Sequence, residues 1–77
     1  MPITLNMVLP GKKVRIIMVE GGVRCRQCLA ELGVYPGDVI KVIRSAPFAG
    51  PILVEVNGAR VMLGRGMASK IIVEEVT

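Results

Sequence analysis

Asn57-Gly58 stands between two five-residue runs, Ile52 to Val56 and Ala59 to Leu63. An Asn-Gly pair accepts the two positive-φ positions that a tight hairpin demands, so this stretch reads as two antiparallel strands in a fixed register. The rest of the chain is cut in the same way. Pro10-Gly11 precedes Lys12 to Val19, where Val14, Ile16 and Met18 alternate with Lys13, Arg15 and Ile17. That alternation predicts a strand with the first three inward. Tyr35-Pro36-Gly37-Asp38 has Pro and Gly at the central positions of a type II turn and opens a strand from Val39 to Arg44. Ser45 to Pro51 reads as a Pro/Gly loop with Phe48 near its middle, and Gly64 to Ser69 as a loop or a single helical turn. Lys70 to Val73, extending toward Val76, is the last expected strand.

One segment breaks the period of two. After Gly21-Gly22, from Val23 onward, Cys25, Leu29 and Leu32 recur at i, i+4 and i+7, which predicts an amphipathic helix of about three turns with these residues inward. Gly33 falls where a left-handed C-terminal cap belongs. The expected content is five short strands and one helix in a single domain over residues 1–77. A chain of 77 residues cannot cover a flat five-stranded sheet, so the sheet is expected to curl into a small barrel, mainly β. The helix would lie between the first and second strands and close one end.

Composition narrows the function. Apolar residues make up 52% of the chain, too many for so small a domain to hide, so a partner or a second copy is expected on exposed apolar surface. No apolar run approaches the roughly 20 residues of a membrane-spanning helix. The start, Met1-Pro2-Ile3-Thr4-Leu5, lacks the basic and apolar regions of a signal peptide, so the chain is expected to be complete and cytoplasmic, without membrane insertion. Net charge is +4 with the basic residues scattered, which permits nucleic-acid binding without indicating it. Single-strand binders present stacking aromatics, and Tyr35 and Phe48 are the only two here.

No catalytic constellation is legible. There is no His to act as base, and the phosphate-loop pattern GxxxxGK[ST] is absent. Cys25-Arg26-Gln27-Cys28 is the one motif with chemical potential. Two thiolates at i, i+3 could hold two corners of a Zn(II) or Fe(II) site, but a structural site takes four ligands and the chain has no other Cys. A second copy or a carboxylate such as Glu31 would have to supply the remainder. An oxidoreductase reading lacks the βαβ frame of thioredoxin-like proteins. The expectation is therefore that Cys25 packs as a small hydrophobe with Cys28 at the edge of the apolar stripe, with no cofactor.

Taken together, several of these pieces resemble one family. Pro10-Gly11, the helix end Leu29-Ala30-Glu31-Leu32-Gly33-Val34 followed by Pro36-Gly37, the loop Ala46-Pro47 to Gly50-Pro51, and Leu63 to Val73 with Ala68 between are similar to FeoA. The resemblance implies a small SH3-like barrel related to the C-terminal domain of repressors of the diphtheria toxin repressor type. It further implies a non-enzymatic cytoplasmic accessory protein of ferrous iron transport that associates with FeoB, the membrane permease carrying a GTPase domain. Carried onto this sequence, the helix's outer face and neighbouring loop form the expected protein-protein contact, with Arg24, Arg26, Gln27 and Phe48 as its residues. Cys25 and Cys28 stand where the family pattern has an apolar and a basic residue. The alternatives kept open are an SH3-like nucleic-acid-binding module and a metal carrier or sensor through the two cysteines.

Overall fold

The computed structural model describes residues 2–45 and 50–76. The strands are β1 (Ile3–Thr4), β2 (Lys13–Val19), β3 (Val39–Ser45), β4 (Ile52–Val56), β5 (Ala59–Leu63) and β6 (Ile71–Glu75). The helices are α1 (Gly22–Glu31) and the single turn α2 (Arg65–Ala68), with a 3-10 turn at Leu5–Met7. All described pairings are antiparallel, in the order β1-β6-β2-β3-β4-β5. Extents of 28 × 28 × 25 Å show that this sheet is curled and not flat. The fold is mainly β, as the turn pattern requires.

Six described strands replace the five expected. The added one, β1, is two residues long and pairs Ile3 with Val73 and Thr4 with Ile72. So short a strand shows no alternation; it exists because β6 offers it an edge. By this count α1 lies between the second and third strands. It still joins the two that the alternation identified first.

The Asn57-Gly58 hairpin holds the register Val56↔Ala59 and Ile52↔Leu63, with both turn residues at positive φ. Ile52, Val54 and Val56 are buried in strict alternation. In β2 the alternation fails part-way. Val14 and Ile16 are buried, but Met18, expected inward, is 49% exposed and Val19 is buried in its place. The pairing with β6 shifts between Ile16 and Met18, so Ile17 is an extra residue that flips the strand's faces.

The helix end also differs from expectation. Leu32, expected inward, is 44% exposed, whereas Val34 is 1% exposed. The α1 hydrogen-bond ladder stops at Glu31. Gly33, at φ 82°, donates its N–H to the Ala30 carbonyl, and Val34 donates to the Leu29 carbonyl, both at 2.9 Å. This paired closure is the Schellman arrangement, and it swings Val34 onto the core beside Leu29. The Tyr35-to-Asp38 turn follows directly. Asp38 N–H donates to the Tyr35 carbonyl (3.1 Å), Tyr35 N–H to Asp38 Oδ2 (3.0 Å), and Gly37 N–H to the Ile16 carbonyl of β2 (2.8 Å). The turn is thereby stitched to the sheet beside α1.

Among the described residues, no polar or charged side chain is buried. The core is aliphatic, built from β2, β3, β4 and β6 with Leu29, Val34 and Leu63. Leu5 from the 3-10 turn and Ala68 from α2, both fully buried, complete it where the sheet edges approach. The Arg65 guanidinium donates to Ser45 Oγ (3.2 Å), tying α2 to the end of β3.

Candidate functional site

Helix α1 rests on the barrel through Cys25 and Leu29 and leaves a groove along each flank. One groove, about 300 Å³, runs between α1 and the Tyr35-Pro36 turn. Val19 and Val34 form its floor, Val23, Tyr35 and Pro36 its walls, and Arg26 and Gln27 its rim. Val23 is 65% and Tyr35 53% exposed, so its apolar walls face solvent. The Tyr35 hydroxyl donates to the Ala30 carbonyl across 3.4 Å, which lays the ring against α1.

The other groove, about 330 Å³, lies between α1 and α2 and is lined by Gly21, Arg24, Cys25, Cys28, Met67 and Lys70. The four residues selected from the sequence are therefore not one patch. Arg26 and Gln27 border the first groove, Arg24 borders the second, and Phe48 lies outside the described residues. Sequence reasoning missed Val23, Tyr35 and Pro36 as a wall. The available signal was the turn placed immediately after the helix cap, which sets an aromatic ring beside the helix's last turn.

Cys25 is buried and Cys28 exposed, both as free thiols, matching the expected disposition along the stripe. Among the described residues no group of three or more His, Cys, Asp or Glu side chains converges, so one chain's described residues do not complete a four-ligand zinc site. No described helix is long and apolar enough to cross a membrane.

The FeoA domain family matches residues 3–75. The chain belongs to the FeoA family. A Methanocaldococcus jannaschii protein provisionally named Fe(2+) transport protein A is 34% identical over 65 residues, covering 84% of this chain and 77% of its own. The crystal structure of an iron uptake regulatory protein, FeoA, superposes with a TM-score of 0.89 at 34% identity, covering 99% of both chains. Iron(II) transport protein A of Clostridium thermocellum superposes equally well, TM-score 0.89 at 28% identity, over 96% of this chain and 46% of that one. A manganese-dependent transcriptional repressor shares the fold at 22% identity and TM-score 0.89, over 97% of this chain and 42% of its own, which bears out the expected SH3-like fold.

Proposed function

We propose that this FeoA-family chain is a non-enzymatic, cytoplasmic regulator of ferrous iron uptake that binds the GTPase region of a FeoB-type permease. Fe(II) is then the cargo of the permease, not a resident cofactor of this chain. The observation that carries the contact surface is the groove between α1 and the Tyr35-Pro36 turn, whose solvent-facing walls are apolar and whose rim holds Arg26 and Gln27. Aromatic anchors with a polar rim are the usual composition of a binding hot spot. A module without catalytic groups acts on its partner only by binding one state of it more tightly than another. The names of the ferrous iron transport relatives support this assignment.

Association kinetics against detergent-solubilised permease, at two salt concentrations, test it. Tyr35→Ala, which removes an anchor, is expected to speed dissociation. Arg26→Glu, at the rim, is expected mainly to slow association and flatten its salt dependence. Absence of binding by the wild-type chain at micromolar concentration, with salt-sensitive binding to RNA or DNA instead, would overturn the assignment in favour of a nucleic-acid module.

A further inference from the structure

The groove between α1 and α2 lies apart from the surface proposed for the permease, and its lining is chemically selective. Three of its six residues carry sulfur: Cys25 and Cys28 from α1, and Met67 from α2. The cysteines stand at i, i+3 and therefore share one side of the helix. Met67 is half-buried and packed against the core. Gly21 keeps the space open. A Cβ at that position would lie 3.6 Å from Cys25 Sγ and 2.8 Å from Lys70 Cδ.

The donor set decides what would enter. Two thiols and a thioether, without imidazole or carboxylate in the lining, form a soft site. Zn(II) takes four ligands, and the cationic Arg24 and Lys70 in the same lining oppose a divalent ion. A soft monovalent cation is satisfied by fewer ligands and meets half the repulsion from Arg24 and Lys70. We propose that Cys25, Cys28 and Met67 form a three-sulfur site for Cu(I). On binding, two Cu–thiolate bonds and one Cu–thioether bond form, the two thiol protons leave to solvent, and no electron is transferred. The bound unit carries a single negative charge, to which the cationic Arg24 and Lys70 in the lining are attracted.

The test uses the reduced full chain under anaerobic conditions, titrated with Cu(I) against a chromophoric Cu(I) chelator. One Cu(I) per monomer is expected, with affinity rising as pH rises because protons are released. Cys28→Ser, at an exposed position, is expected to abolish retention against the chelator while amide NMR shows an intact barrel. Met67→Leu, which keeps the volume, is expected to weaken binding by about tenfold or more, since even partners outside the ligand shell count for that much. X-ray absorption is expected to show three sulfur neighbours and no nitrogen or oxygen. The proposal is overturned by Zn(II) outcompeting Cu(I), by a complex of two chains per metal, or by Met67→Leu binding as tightly as wild type.

Discussion

Leu32 and Val34 are two residues apart and differ in nearly all of their exposure, so the cap between them decides which one contributes to stability. Leu29→Ala, on the buried side of that cap, is expected to cost about 2 to 5 kcal/mol in urea unfolding. Leu32→Ala is expected to stay within about 0.5 kcal/mol. Equal losses would mean that α1 continues past Glu31. The two helix-flanking glycines separate backbone from packing in the same way. Gly33→Ala meets no atom within 4 Å, so its cost is the left-handed backbone alone, about 1 to 2 kcal/mol. Gly21→Ala adds a Cβ 3.3 Å from Cys25 Cβ to a φ of 97° and is expected to cost more than Gly33→Ala by the same assay.

Helix α1 is poorly started for an element so central. Its N-cap is Gly21, with no side-chain cap hydrogen bond, and its first turn holds no acidic residue but does hold Arg24. A cation there opposes the helix dipole. Arg24→Glu is therefore expected to raise stability by about 0.3 to 1 kcal/mol at low salt, an increment that shrinks as salt is added. A loss of stability would show that Arg24 contributes a favourable contact in the folded chain. Such a weak start means that the helix is held by Cys25, Leu29 and the Schellman closure, and less by its own propensity. The bulge at Ile17 similarly trades ladder regularity for direction, turning Val19 into the floor of the groove beside α1.

At the scale of the whole molecule, the sheet joins residues from opposite ends of the chain. Ile3 pairs with Val73 near the other end of the chain, and Val14 pairs with Glu75. Loop-closure entropy must be met before such contacts stabilise anything, so refolding is expected on the order of milliseconds to seconds. Stopped-flow refolding checks this, and folding in microseconds would contradict a transition state that needs the β2–β6 pairing. Between Lys12 and Glu75 an exposed ion pair spans 3.7 Å, but pairs in open solvent add little, so closure rests on the aliphatic core.

The chain's own chemistry determined β4, β5 and their hairpin to the residue, because Asn57-Gly58 supplies the two positive-φ positions of a tight turn and Ile52, Val54 and Val56 recur with a period of two before it. It determined the left-handed cap at Gly33, beyond the last residue of α1, for the same local reason, and the family through the combination of turns and caps. Tertiary structure decided the rest. Nothing in Ile3-Thr4 makes a strand until β6 presents an edge to it. Met18 faces outward because the β2–β6 register inserts Ile17, a fact about two strands at once. Arg24 and Arg26 part to opposite grooves because Tyr35-Pro36 and Met67, distant in sequence, pack on either side of one helix. Local rules act through backbone sterics over a few residues, whereas a bulge, an edge pairing or a groove depends on where two separate segments meet.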